Sequence, residues 1–371
     1  MRSAQTRRLV WPLLVLAGLL VANLAATPGF FEISVKGGRL YGSLVDILHF
    51  GTPLLLISLG MTLVIALRGI DLSVGAVVAV SGALACETIA AAGGGQGSAA
   101  TAAAAVAVAL GASALLGLWN GFLVSVLRIQ PIVATLILMV AGRGLAQLIT
   151  GGQITTVRSE PYREIAAGSL AAVPFTVIVA ATTVLLMWLL VRRTALGLLI
   201  EAVGGNAEAG RLAGIRATGL SVAAYTFCGL CAGLAGVIIS ANTGSADGNN
   251  AGLWIELDAI LAVVIGGTLL TGGRFSIAGT VLGALIVQTL STTVYTMGVP
   301  PESALVFKAI VVFLVCLLQS PRFRAQVAAP FRRGGPPIRA RTGPGPAPTE
   351  EDDVTTAATN AGSPGAPEVQ R

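Results

Sequence analysis

Charged residues are scarce in this chain of 371 residues. They make up 11% of it, whereas an ordinary soluble domain carries about a quarter. Hydrophobic residues make up 54%. A composition with so few charges excludes an ordinary soluble domain and indicates a protein that crosses the membrane several times.

Histidine and cysteine are also scarce. The single histidine, His49, has no partner at a metal-ligand spacing, and all four cysteines fall in apolar segments, which excludes a disulfide framework. Cys228 and Cys231 have C-x-x-C spacing. On a helix they share a face beside Gly229 and Gly233, where small residues favour close helix packing over metal or redox chemistry. We predict no metal site and no cofactor in this chain.

Catalytic and nucleotide-binding patterns are missing too. The carboxylates are dispersed and offer no clustered catalytic set, so we predict no catalytic residues and no enzymatic activity. The chain has no G-x-x-x-x-G-K-[ST] phosphate loop. Any ATP hydrolysis that drives this protein is therefore expected on a separate subunit.

Long apolar runs recur from Leu9 to Leu318. A bilayer-spanning helix needs about 20 mostly apolar residues, and the runs lack the alternating polarity of barrel strands. The sequence predicts an all-α membrane protein, a polytopic bundle of about ten transmembrane helices. The predicted spans are 9–26, 51–67, 72–92, 101–126, 131–150, 173–191, 220–241, 257–272, 276–294 and 303–320.

Basic residues are unevenly distributed between the loops, and cytoplasmic loops are normally enriched in them. With ten spans and the N-terminus inside, twelve basic residues fall on the cytoplasmic side and four fall on the outer side. The cytoplasmic set is Arg2, Arg7, Arg8, Arg68, Arg128, Arg192, Arg193, Arg211, Arg216, Arg274, Arg322 and Arg324, and the outer set is Lys36, Arg39, Arg158 and Arg163. We predict a multi-pass protein of the bacterial inner membrane with both termini cytoplasmic. This topology explains the net charge of +6 without a nucleic-acid partner.

The composition changes after residue 320. Residues 1–320 are predicted to form the transmembrane domain, and 321–371 a disordered cytoplasmic tail, because few large apolar residues remain there to offset the entropy of folding. The basic part of the tail can contact anionic membrane lipid, or the tail is a solvated extension. Within 1–320, two sets of five helices would have opposite orientations, as in the inverted repeats of many transporters.

Two glycine-rich breaks interrupt the apolar runs, at 68–75 and 265–274. They indicate places where the backbone bends or packs closely inside the bilayer, as in a transport protein. A third segment, between the sixth and seventh spans, contains small residues, two glutamates and an arginine. Asn206 is a suitable N-cap and Gly214 a suitable stop for a short helix between them. A helix that docks on another protein and a solvated connector both fit these residues.

The third segment resembles the coupling loop of importer permeases of the ATP-binding-cassette class, in the branch that carries ribose and related sugars. The tracts 69–75 and 266–274 are similar to an early signature and a late glycine motif of that branch, and 130–144, 249–258 and 273–275 are most similar to galactofuranose permeases. The resemblance implies three partners: an ATPase subunit, an extracytoplasmic sugar-binding protein and a second permease subunit. It implies a coupling role for Glu201, Gly204, Asn206, Glu208, Arg211, Gly214 and Ile215.

Polar residues in or beside the apolar segments are candidates for the pathway or its gate. A carboxylate or arginine in a membrane needs a partner, water or a helix end. Asp71 is either a cap for a helix starting at Leu72 or a gating residue, and Arg143 is either a structural bridge or part of the pathway. The outward loop near 247–258 can contact a sugar, cap a helix or meet a docking protein. The candidates are Asp71, Ser73, Arg143, Asn249, Asn250, Trp254, Glu256 and Asp258.

Taken together, these features predict the permease subunit of an ATP-driven monosaccharide importer, for galactofuranose or a related pentose or hexose. The alternative is an ion-coupled secondary transporter of a small polar solute. That class usually needs buried acidic groups near the midplane, and in the sequence Asp71 and Glu87 come nearest to this requirement.

Overall fold

The computed structural model describes residues 2–26, 29–36, 38–93, 98–296 and 298, with five separate positions between 306 and 317. The predicted tail, 321–371, lies outside the described residues, as does most of the predicted tenth span, 303–320.

Twelve helices form within the described ranges. They are α1 Arg2–Ala26, α2 Ser43–Ala66, α3 Val74–Ala91, α4 Ala99–Ser125, α5 Pro131–Ile149, α6 Glu160–Ala167, α7 Phe175–Arg193, α8 Leu196–Gly205, α9 Ala207–Leu212, α10 Ala217–Thr243, α11 Ile255–Ile265 and α12 Ile277–Thr296. Seven are long and apolar enough to cross a membrane, namely α2, α3, α4, α5, α7, α10 and α12. The prediction of a polytopic helical bundle is confirmed.

Two helices begin at signals readable in the sequence. The Ser98 side chain accepts a hydrogen bond from the Thr101 N–H at 3.2 Å, as an N-cap does. Pro131 occupies the first turn of α5. A backbone N–H at this position has no partner within the helix, so a proline there costs no hydrogen bond.

Helix α10 is the centre of the bundle and packs against α2, α3 and α4. Small residues bring the backbones together. Gly229 of α10 lies against Gly117 of α4, and Cys228 lies against Gly60 of α2. Such close approach maximises van der Waals contact, which replaces the hydrophobic driving force between helices in lipid. The prediction that Cys228 and Cys231 are packing residues is confirmed, since both are buried.

Several of the helix contacts are related as two repeats of five spans would relate them. If spans one to five correspond to spans six to ten, the packing of α4 on α10 matches that of α2 on α12. In the same way α3 on α4 matches α11 on α12, and α2 on α11 matches α3 on α10. The contacts of α1 with α12 and of α2 with α7 have no comparable counterparts in α4 with α7 and α1 with α10 among the described helices, so the repeat stays a prediction.

Three short antiparallel strand pairs connect the helices. They are β1 Ser34–Lys36 with β2 Arg39–Tyr41, β3 Thr155–Thr156 with β6 Ser245–Ala246, and β4 Ser169–Leu170 with β5 Val173–Pro174. All lie in loops that the charge distribution predicts to be external, so we call this end of the bundle the predicted external end.

Candidate functional site

The eighth predicted span, 257–272, is shorter than the sequence indicated. Helix α11 ends at Ile265 after 11 residues, which rise about 16 Å, roughly half of the ~30 Å hydrocarbon core. Gly266-Gly267 ends it, and Gly267 adopts a left-handed φ of 87°. The prediction of a full helix here was wrong because hydropathy does not register a helix stop made of glycine.

The other half of this crossing is irregular backbone, from Asp247 to Trp254. Gly248 packs against Ala146 near the end of α5, and Gly252 packs against Val78 inside α3. The chain therefore descends beside α3 before α11 begins. We call residues 247–265 the broken crossing.

Arg143 supplies hydrogen-bond donors to the backbone carbonyl groups of the irregular half of the broken crossing. Its guanidinium donates to the carbonyl oxygens of Gly248 at 3.4 Å, Asn249 at 3.3 Å and Ala251 at 2.6 Å. Non-helical backbone in a membrane is tolerated only where its polar groups are satisfied. These contacts fit a structural bridge, one of the two predicted roles of Arg143, and its role stays a prediction.

The exposed part of the loop is organised by Asp247. Its carboxylate accepts hydrogen bonds from the Asn249 and Asn250 N–H groups at 2.9 and 3.1 Å and from the Asn250 amide at 2.8 Å. The Asn250 side chain is the main reason that the pKa of Asp247 lies below its ordinary value. Gln147 donates to the Asn249 side-chain oxygen at 2.5 Å. Both asparagine side chains are held in place at the predicted external end.

Three further candidates lie where α11 begins. Trp254 is its N-cap in a left-handed conformation, with its side chain half exposed. Glu256 is buried, and one carboxylate oxygen lies where a side chain on Gly75 would be. Asp258 is partly buried on the same helix. The broken crossing therefore brings together Arg143, Asn249, Asn250, Trp254, Glu256 and Asp258.

Asp71 and Ser73 form a second, buried cluster. The Asp71 carboxylate accepts from the Ser73 N–H at 3.0 Å, the Ser73 hydroxyl at 2.6 Å and the Asn120 amide at 3.3 Å. The predicted helix start at Leu72 was wrong by two residues, because Asp71 closes a turn over Ser73, and α3 starts at Val74 with Ser73 as its N-cap. Asp71 therefore holds the turn before α3.

The sequence interpretation missed Asn120. This residue is fully buried in α4, and its amide also donates to the Ser73 hydroxyl at 2.8 Å. A lone amide in the middle of the apolar run 101–126 was the available signal, because a polar side chain inside a span needs a partner.

The predicted coupling segment consists of two helices. Glu201 and Gly204 belong to α8, whereas Glu208 and Arg211 belong to α9. Asn206 caps α9 as predicted, since its side-chain oxygen accepts from the Glu208 and Ala209 N–H groups at 3.1 and 3.0 Å.

The end of α9 also matches the prediction. Gly214 has a left-handed φ of 79°, and the Ile215 N–H donates back to Gly210 at 3.0 Å. Glu208 and Arg211 form an exposed ion pair at 2.6 Å. Each lies on the outer face of α9, and the Arg211 guanidinium holds the pKa of Glu208 below its ordinary value.

Residues 43–316 match the family described as branched-chain amino acid transport system / permease component. The galactofuranose transporter permease protein YtfT of Escherichia coli K12 is 49% identical, with 85% of this chain and 92% of that protein covered. The fructose import permease protein FruF of Bifidobacterium longum is 40% identical, with 77% and 79% covered. The ribose import permease protein RbsC of E. coli K12 is 35% identical, with 84% and 93% covered.

No solved structure was found to match the chain. The resemblance drawn from the sequence motifs is confirmed by the family match, which spans α2 to the predicted tenth segment, and by the relatives. This chain belongs to the branched-chain amino acid transport system permease family.

Proposed function

We propose that this chain is the membrane-spanning subunit of an ATP-driven importer of monosaccharides, with galactofuranose or a related pentose or hexose as cargo. The observation that supports an ATP-driven importer is α9, a capped and exposed helix presented on α8. The sugar class is supported by relatives named for galactofuranose, fructose and ribose. These relatives favour this function over an ion-coupled carrier, and the chain is a transport subunit rather than an enzyme.

The proposed pathway runs beside the broken crossing. Asn249 and Asn250 offer amide groups and Trp254 an aromatic face, the groups with which proteins bind a sugar's hydroxyls and its apolar ring face. Arg143 holds this loop in shape. Glu256 and Asp258 line the start of α11, and Asp71 with Ser73 form the buried turn below it, which we propose as part of the gate.

We assign a different proposed partner to each end of the bundle. A sugar-binding protein delivers cargo at the external end, and an ATPase docks on α8 and α9 at the cytoplasmic end. A second permease subunit completes the path. The protein lies in the bacterial inner membrane with both termini cytoplasmic.

The ATPase docking site can be tested with the double variant Glu208→Ala/Arg211→Ala. We expect normal membrane insertion, at least tenfold less co-purified ATPase and loss of sugar uptake, because the charged pair is exposed and its removal leaves the spans intact. The matched control is Glu160→Ala/Arg163→Ala, which removes an exposed pair of the same spacing from α6 at the opposite end. Retained ATPase binding and uptake in the well-expressed α9 variant would contradict the docking role.

The orientation can be tested by cysteine labelling in intact cells. A membrane-impermeant maleimide is expected to label Arg163→Cys and to leave Arg211→Cys unlabelled until the cells are opened. The wild-type chain measures the background from the native cysteines, of which Cys86, Cys228 and Cys231 are buried and Cys316 lies outside the described residues. Labelling of Arg211→Cys in intact cells would overturn the proposed topology.

A further inference from the structure

Helix α2 ends in a backbone motif that ordinarily takes glycine, and this chain has Arg68 there. The Gly69 N–H donates to Val64 and the Arg68 N–H to Ile65, both at 2.9 Å, the paired bonds of a Schellman helix end. Arg68 has a φ of 65°, which residues with a side chain seldom adopt. Glycine would adopt it at lower cost, so contacts of the arginine side chain have to offset the difference.

The side chain of Arg68 reaches the last carbonyl groups of α8. Its Nε donates to the Gly204 oxygen at 2.6 Å, and a terminal nitrogen donates to the Gly205 oxygen. Carbonyls at a helix C-terminus have no partner within the helix and carry partial negative charge. Arg68 therefore caps α8 from the end of α2.

The second glycine-rich break meets the same point. The Gly273 N–H donates to the Ala66 oxygen at 2.8 Å. A side chain on Gly204 would overlap that oxygen, and one on Gly272 would overlap the stem of Arg68. We call this contact between the end of α2, the end of α8 and Gly272-Gly273 the Arg68 junction.

The junction connects the proposed ATPase-docking segment to the proposed gate. On one side, α8 continues through Asn206 into α9. On the other side, Arg68 is followed by Gly69, which lies against the buried Tyr225 hydroxyl, and then by Asp71. Because Arg68 bonds to backbone atoms at the end of α8, displacement of α8 would strain or break these bonds at the end of α2.

We propose that Arg68 is a positioning residue that passes movement of α8 and α9 to the turn around Asp71, and so couples ATP hydrolysis to gate opening. The inference rests on the proposed function. Energetic coupling between distant sites can be carried by connected side chains and hydrogen bonds, and the Arg68 junction supplies such a connection from three segments that are far apart in the sequence.

The test uses the full permease with its co-purified ATPase and binding protein in proteoliposomes, with labelled ribose, fructose and galactose as probes. Arg68→Gly removes the guanidinium and relaxes the left-handed backbone. We expect normal yield, a wild-type amount of bound ATPase, at least half the wild-type ATP hydrolysis and at least tenfold less sugar transported per ATP. Arg68→Lys is expected to be intermediate, because lysine keeps the charge but cannot fork to two carbonyls.

Arg274→Ala is the matched control, since it removes an exposed charge directly after Gly273 and is expected to leave the ratio of sugar to ATP unchanged. An unchanged ratio in Arg68→Gly would overturn the inference. So would loss of ATPase binding, which would make Arg68 a docking residue, or loss of yield, which would make it only a structural cap. A wild-type complex without ATP-dependent uptake would instead refute the proposed function.

Discussion

A single methyl group at position 204 is expected to abolish sugar uptake and to lower the yield of folded protein at least tenfold. The Cβ of Gly204→Ala would overlap the Ala66 carbonyl oxygen and lie 2.7 Å from the Gly273 nitrogen. Both are backbone atoms, which cannot rotate away, so α8 would have to separate from α2. Overpacking of this kind costs about 1–3 kcal/mol, and a tenfold change corresponds to about 1.4 kcal/mol.

The adjacent residue provides the control. A Cβ on Gly205 would meet no atom within 4 Å, and alanine favours a helix over glycine by about 1 kcal/mol. Gly205→Ala is therefore expected to keep wild-type yield and uptake. The measurements are the monodisperse fraction on size-exclusion chromatography and uptake of labelled sugar. Equal behaviour of the two variants would show that the contact of α8 with α2 is not required.

The close packing that the sequence indicates at the second glycine-rich break implies that a branched side chain at Gly273 would block backbone approach. The structure gives a different reason. A Cβ at Gly273 would come no closer than 3.6 Å to Gly205, but the residue has a φ of 89°. Sensitivity of Gly273 to valine stays a prediction, and backbone conformation replaces crowding as its cause.

The sequence predicted most membrane-spanning helices well because each is a long apolar run whose hydropathy sets its position. It did not predict the broken crossing. Residues 257–272 are mostly apolar, and nothing in a hydropathy pattern records that α11 stops at Ile265. Backbone hydrogen bonds at Gly267 and Thr268 mark that end, whereas Arg143, on a different helix, bonds to the irregular backbone before α11 begins.

The candidate site also has a part that the sequence predicted and a part that it could not predict. Asn206 and Gly214 could be placed from local rules because a cap and its helix are neighbours in sequence. The contact of Arg68 with Gly204 joins residues 136 positions apart, and no spacing rule reaches that far. The two glycine-rich breaks could be recognised one by one, whereas their meeting at α8 depends on how the whole bundle packs.

Arg143→Met is expected to lower sugar uptake at least tenfold, with a parallel fall in folded protein. Methionine keeps an apolar stem in α5 but leaves the carbonyls of Gly248, Asn249 and Ala251 without their donor. A hydrogen bond to a charged group contributes about 1.5–3 kcal/mol in soluble proteins, and about 0.6 kcal/mol is a typical value for a side-chain hydrogen bond between helices in a membrane. Because one nitrogen with two hydrogens makes all three contacts, the expectation rests on the charged-group value, at which a single full bond is enough for a tenfold effect.

Two variants and one kinetic measurement separate a structural bridge from direct sugar contact. Arg192→Met removes an equal charge from the exposed end of α7 and is expected to leave uptake unchanged. Arg143→Lys keeps a donor for the Ala251 carbonyl and is expected to recover part of the yield. If Arg143 is a bridge, the maximal rate falls together with the folded fraction and the sugar concentration for half-maximal uptake stays constant. A rise in that concentration at wild-type yield would place Arg143 in contact with the sugar, because losing a contact to the cargo weakens its binding without unfolding the loop.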